Sequence, residues 1–190
     1  GADSIAVGMG CGVSKQLHEI LAFLLNEYRG TLVIDADAIN TLAEYGADIL
    51  REKSCRVIMT PHPKEFSRVS GREMSEVLTE GAVLAKQFAA EYGVVLLLKG
   101  HTSVITNGKF SVFNTEGTPA LAKGGSGDVL SGIIASLAAR GVNGMDAASC
   151  GAFLLGRAGI LAQKRFGEYS VTPGDVIREL PAAILSLREF

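Results

Sequence analysis

Short apolar runs, each ended by glycine or a polar cluster, alternate along the chain with longer stretches in which apolar residues recur every three or four positions. Residues 4–10 (SIAVGMG) read as a buried strand entering a tight turn. Ser14 caps a predicted helix in which Leu17, Ile20, Leu21, Leu24 and Leu25 share one face as far as Gly30. TLVIDADAIN then gives a strand at 31–34, two carboxylates at its C-terminal end and a short helix through Leu42 and Tyr45. RVIMTPHPKEF repeats the pattern, with a strand at 56–59 followed by a polar loop stiffened by prolines.

An amphipathic helix is predicted over 75–92 and stopped by Gly93. VVLLLKG is the most continuous apolar run, the mark of a central parallel strand covered on both faces. TSVITNGKFSVFN alternates around Asn107-Gly108 and predicts a hairpin, the one place where antiparallel pairing is called for. Two helices close the chain, over 145–166 and 173–187. The second carries Thr172 as cap, Pro173 at its first position and Asp175 in its first turn. Strands alternating with helices mean an α/β sandwich with a largely parallel sheet, read as a single domain over residues 1–190 without repeats or linkers.

Composition narrows the function classes. A formal charge of −2 without basic runs offers no footprint for nucleic acid or an anionic membrane surface, so neither is expected as a partner. Cys11, Cys55 and Cys150 are too scattered for a disulfide framework or a zinc site, and a reduced, cytoplasmic setting is expected. The apolar runs are short for a membrane span.

Ligands in sheets of this kind bind beyond the C-terminal strand ends. Polar clusters follow the first four strands (GMGCG, DADAIN, TPHPKE, KGHTS), and a fifth, GGSGD, immediately precedes the apolar helix pattern of residues 129–137. Gly124, Gly125 and Gly127 let backbone approach a ligand, while the helix aims free N–H groups and a positive dipole end at it. Together they describe an anion hole, built without either standard phosphate motif. Val129, Leu130, Ile133, Ile134 and Leu137 are the expected buried stripe behind it. Asp128 is then either a plain first-turn cap or a base beside a phosphate, placed to take the proton of an attacking hydroxyl. His62 between two prolines is a loop brace or a ligand contact. Lys99 either snorkels from a strand end or pairs with phosphate. Asp37 reads as a helix cap, Cys11 as a small filler and His18 as structural.

GTPALAKGGSGDVLSGIIASLAA, TPHPKEF, DADAIN, LKGHTSVITNG and VGMGCG, in this order, resemble the ribokinase-like superfamily. Within it they are similar to the ADP- or ATP-dependent NAD(P)H-hydrate dehydratases, the C-terminal half of YjeF-type repair proteins. The resemblance implies a three-layer α/β/α sandwich and dehydration of the S epimer of hydrated NADH or NADPH, through phosphorylation of the ring hydroxyl and loss of phosphate. It implies Asp128 as catalytic base and as a substrate contact. Lys99, Gly100, His101, Thr102, Ser103, Gly124, Gly125, Ser126 and Gly127 would line the nucleotide site, and Gly10, Asp35, Asn40 and His62 the hydrate site. Glu65 stands where related sugar kinases carry a glutamate that organises Mg²⁺ through water. A homo-oligomer, commonly a tetramer, and a fused or separate epimerase are implied partners.

The chain departs from the family pattern at Met9, Lys64, Thr118 and Leu121, and residue 1 falls after the family's first strands, so part of the sheet is expected to be missing. A ribokinase-like kinase for a thiamin or vitamin B6 precursor, and a nucleotide-binding module without turnover, are the competing readings.

Overall fold

The computed structural model describes residues 1–189. Six strands form one sheet in chain order: β1 (Ser4–Val7), β2 (Thr31–Ile34), β3 (Arg56–Met59), β4 (Val95–Leu98), β5 (Ser103–Thr106) and β6 (Ser111–Asn114). The first four run parallel, with Ala6 beside Val33 and Val33 beside Ile58. β5 and β6 are each antiparallel to the strand before. The Asn107-Gly108 hairpin is present as expected. The reversal between β4 and β5, made within the KGHT segment, is a second antiparallel step that the local pattern did not announce.

Seven helices cover the two faces. They are α1 (Lys15–Glu27), α2 (Asp37–Tyr45), α3 (Pro63–Ser70), α4 (Met74–Tyr92), α5 (Ser126–Ala139), α6 (Gly144–Phe166) and α7 (Pro173–Leu185). Alternation along the strands sorts the core in two. Leu32, Ile34, Val57, Met59, Leu96 and Leu98 face Leu21, Leu25, Phe66 and Phe88 of α1, α3 and α4. Val33, Ile58, Leu97 and Ile105 face Leu130, Ile134, Ala148 and Ala152 of α5 and α6. This is the expected three-layer sandwich, with α7 docked on α6 in a smaller cluster of its own. α6 is long and apolar enough to cross a membrane by length and composition, but half of its apolar window is buried inside the protein, as a core helix requires.

Two expectations change in the structure, and the buried row of α1 is narrower than its apolar periodicity. The segment after Pro61 is no loop: Pro63 opens α3, with His62 as its cap. Ile20 of α1 is 52 % exposed, leaving Leu17, Leu21 and Leu25 as the buried row. Of the stripe on α5, only Leu130 and Ile134 are buried. Val129, Ile133 and Leu137 are half-buried beside an apolar cleft.

Candidate active site

Four of the predicted loops gather at the C-terminal ends of the parallel strands. The backbone ties them: Asp35 N–H donates to Val7 O, Thr60 N–H to Ile34 O and Lys99 N–H to Pro61 O. Gly8, at φ +119°, permits the closest approach, since a Cβ there would stand 1.8 Å from the carbonyl oxygen of Asp35. Asp37 opens α2 and its Oδ2 accepts the Gly12 N–H at 2.8 Å, joining the GMGCG turn to the DADAIN turn.

The fifth loop arrives from the other face. Four helices begin with a side-chain cap that accepts backbone N–H groups: Ser14, His62, Asn143 and Thr172. α5 does not. Its first flanking residue, Gly125, lies in the left-handed region at φ +90° and offers no side chain. Among the described residues the N–H groups of Gly127 and Asp128 find no intramolecular acceptor. Free first-turn donors and the helix dipole make this terminus a seat for an anion.

The loop is held by Lys123, whose Nζ donates to three backbone oxygens between α6 and α7: Glu168 at 3.2 Å, Tyr169 at 2.9 Å and Val171 at 2.8 Å. These satisfy all three ammonium hydrogens. The same contact zone leaves no room for a side chain at Gly125, where a Cβ would stand 2.9 Å from Cγ of Pro173.

Beneath the glycine loop runs a chain of charges. Lys99 Nζ donates to Asp35 Oδ1 at 2.9 Å and lies 3.9 Å from Glu65 Oε2. Ser131 Oγ donates to Asp35 Oδ2 at 2.9 Å. His62 and Glu65 form a capping box. Nδ1 of His62 accepts from the N–H groups of Lys64 and Glu65 at 3.1 and 3.2 Å, which leaves the ring proton on Nε2, 3.2 Å from Glu65 Oε1. Glu65 Oε2 in turn accepts the His62 N–H at 2.8 Å. A Cβ on Gly127 would lie 3.5 Å from both Asp35 Oδ2 and Lys99 Nζ, so the anion loop rests on this pair.

The predicted residues thus divide. Gly10, Gly124, Asp128, Gly100, His101, Thr102 and His62 are exposed at the strand ends, and Gly125, Gly127, Lys99 and Ser103 are half-buried among them. Ser126 is buried under the first turn. Asp35, 2 % exposed and with both oxygens engaged, lies below the surface on which a ligand would sit. Asn40 is half-buried and its Oδ1 accepts from Arg68 Nη1 at 2.9 Å. His18 is structural, its Nε2 3.0 Å from Gly46 O. An apolar cleft of about 480 Å³ opens beside Asp128 between α5, α6 and α7. Ser131 and Lys123 carried no motif that pointed to them. Adjacency to GGSGD and a one-turn spacing from Asp128 are the only signals available.

An uncapped helix start on glycines, an exposed aspartate in its first turn and a half-buried lysine paired with a buried aspartate at parallel strand ends define an α/β protein with an anion seat at its strand ends. The chain belongs to the NAD(P)H-hydrate dehydratase family, whose model matches residues 1–182. It is 35% identical over 185 residues to the bifunctional NAD(P)H-hydrate repair enzyme Nnr of Methanopyrus kandleri, spanning 97% of this chain and 36% of that protein. It is 34% identical over 185 residues to the ADP-dependent (S)-NAD(P)H-hydrate dehydratase of Cenarchaeum symbiosum, spanning 97% of this chain and 62% of the relative. A solved ADP/ATP-dependent NAD(P)H-hydrate dehydratase from Bacillus subtilis, co-crystallised with ATP and Mg²⁺, is similar with a TM-score of 0.86 at 26% identity, over 97% of this chain and 64% of that one. The chain therefore spans about a third of the bifunctional relatives and close to two thirds of the single-function ones.

Proposed function

We propose that the chain forms one ribokinase-like domain that uses ADP or ATP to dehydrate the S epimer of hydrated NADH or NADPH, restoring the reduced cofactor. The observation that carries this reading is the α5 terminus, with free N–H groups at Gly127 and Asp128 and the exposed Asp128 carboxylate in the same turn. A terminal phosphate seated on those N–H groups presents phosphorus to the ring hydroxyl of the hydrate. Asp128 takes the hydroxyl proton as the new O–P bond forms and the phosphoanhydride bond breaks, and the N–H groups stabilise the charge that collects on the transferred group. The ring nitrogen then pushes out phosphate, a far better leaving group than hydroxide. Loss of a proton from the neighbouring carbon restores the double bond.

Lys99 to Ser103 supply the nucleotide wall, and Gly10 and His62 the hydrate wall. The donor set fits Mg²⁺ only as an ion carried in on the nucleotide. Among the described residues no cluster of three or more His, Cys, Asp or Glu gathers, and the Asp35 and Glu65 oxygens are already engaged. Such an ion would neutralise phosphate charge, with Glu65 meeting it through water. An epimerase partner supplying the S form, homo-oligomeric assembly and a cytoplasmic setting accompany this reading.

The test is incubation of the protein with hydrated NADH and either ADP or ATP, following the return of reduced-nicotinamide absorbance. Asp128→Asn is expected to lower turnover by about 10²–10⁴-fold while nucleotide still binds. No return of reduced cofactor, or a stable phosphorylated alcohol as product, would overturn the proposal.

A further inference from the structure

We infer that Asp35 is a positioning residue of the phosphate site, clamping Lys99 and the start of α5 together without touching nucleotide or hydrate. The kinetic part of this inference rests on the function proposed above, whereas the geometry stands apart from it.

The two oxygens of Asp35 serve two different elements. Oδ1 accepts from Lys99 Nζ at 2.9 Å, at the end of β4, and Oδ2 accepts from Ser131 Oγ at 2.9 Å, on α5. Ser131 is fully buried and lies three residues after Asp128, on the sheet-facing side of the same helix. One carboxylate therefore links the ends of β2 and β4, which are separated in the sheet by β3, to the helix that carries the proposed base.

The backbone of Asp35 is committed as well. Its N–H donates to Val7 O, and its carbonyl accepts the Ala38 N–H at 3.1 Å and admits no side chain at Gly8. The next residue, Ala36, has φ +51° and ψ −120°, the one positive φ outside glycine among the described residues. Such a conformation is sparsely populated outside glycine and persists where the surroundings over-determine it. The turn that aims Asp35 at its two partners is thus held against local preference.

Both partners need holding. A free lysine side chain samples many rotamers, and an ammonium already paired arrives at a phosphate in fixed register. Ser131 anchors α5 from inside, so a shift of the helix that moved Asp128 would break a buried bond to a carboxylate. Each carboxylate oxygen is already engaged and the side chain is 2 % exposed, which leaves it covered from a hydrate hydroxyl at the surface of the site. This separates Asp35 from Asp128, which is exposed at the surface of the site.

The experiment is a double-mutant cycle on the protein with Asp35→Asn, Ser131→Ala and the pair together, reading kcat and KM for hydrated NADH, the Mg²⁺ concentration for half-maximal rate, and ADP affinity by calorimetry. Asp35→Asn should lower kcat by about 10- to 100-fold with KM for the hydrate changed by less than about threefold. Ser131→Ala should lower kcat by about tenfold, and the double variant should be no worse than Asp35→Asn. Circular dichroism establishes that each variant is folded, and if Asp35→Asn does not fold, Ser131→Ala, which keeps the ion pair, carries the test by the same kcat loss at constant KM.

A tenfold rise in KM at unchanged kcat would make Asp35 a substrate contact and overturn the inference. So would a shift in Mg²⁺ dependence, or losses that simply multiply. If the wild-type protein does not regenerate NADH, the functional reading fails alone. The clamp is then judged by ADP binding, which Asp35→Asn must weaken by about tenfold for the inference to stand.

Discussion

Replacing Lys123 with methionine keeps an unbranched apolar stem and removes the ammonium that joins the glycine loop to the segment between α6 and α7. Three charge-assisted bonds, at 3.2, 2.9 and 2.8 Å, disappear together. Each such bond contributes a net of about 1.5–3 kcal/mol, but they share one donor group and do not add. Tyr169 is exposed, so a freed carbonyl beside it returns to water, and the ammonium of the unfolded chain loses nothing. The net cost is therefore close to one strong bond, about 2–3 kcal/mol. For a domain of this length each kcal/mol moves Tm by about 2–4 °C, so the melting temperature should fall by about 5–10 °C. Thermal unfolding followed by circular dichroism reads this directly, and hydrogen exchange at 168–172 should quicken at the same time. Lys123→Arg keeps the charge but spreads its donors in a plane, and should recover only part of the loss. A methionine variant that melts within about 1 °C of wild type, with unchanged exchange in that segment, would refute the strut.

Two further outcomes follow from backbone and charge. Gly8→Ala should cost more than about 4 kcal/mol and abolish soluble expression, because its Cβ would stand 1.8 Å from a backbone oxygen that has no rotamer to escape into. Gly10→Ala, at φ +68° with open space around it, should cost about 1–2 kcal/mol and remain soluble; equal urea midpoints for the two would sink the argument. Asp175 of the α7 capping box is held below its ordinary value of 3.8, first by the Thr172 hydroxyl, then by the Thr172 N–H and, further, by Arg178, against an opposing effect of burial. A carboxyl depressed in the folded state stabilises above the unfolded pKa and loses that contribution as pH falls through the folded one. Asp175→Asn should therefore melt below wild type at neutral pH, and the gap should close as pH falls from about 5 to about 2. A gap that is constant with pH would show that the carboxylate charge contributes nothing.

Much of the architecture was legible along the chain because it is local. The continuous apolar run of β4, the Asn107-Gly108 turn, the Thr172-Pro173-Asp175 helix start and the glycines before α5 each depend on residues within one strand, turn or helical turn. The same locality made Asp128 visible, since a carboxylate in the first turn of a glycine-started helix is a short-range pattern. His62 shows where that legibility ends: histidine is not among the usual caps, so His-Pro-Lys-Glu read as a loop although it closes a capping box. Periodicity overstates the burial of Val129, Ile133 and Leu137 for a different reason, because helical period tells which side chains share a face but not what covers that face.

The chain's own order of residues thus determined the alternation of strands and helices, the parallel character of the first four strands, the glycine loop and the place of its aspartate. What only the tertiary structure decided is how those parts are held. Lys99 meets Asp35 across 64 positions and Ser131 meets it across 96, while Lys123 reaches carbonyls about 45 residues away. Propensity and periodicity act within a turn or two of backbone. Which buried polar groups satisfy one another depends on where the sheet brings distant strand ends, and on the cost of leaving any of them unpaired.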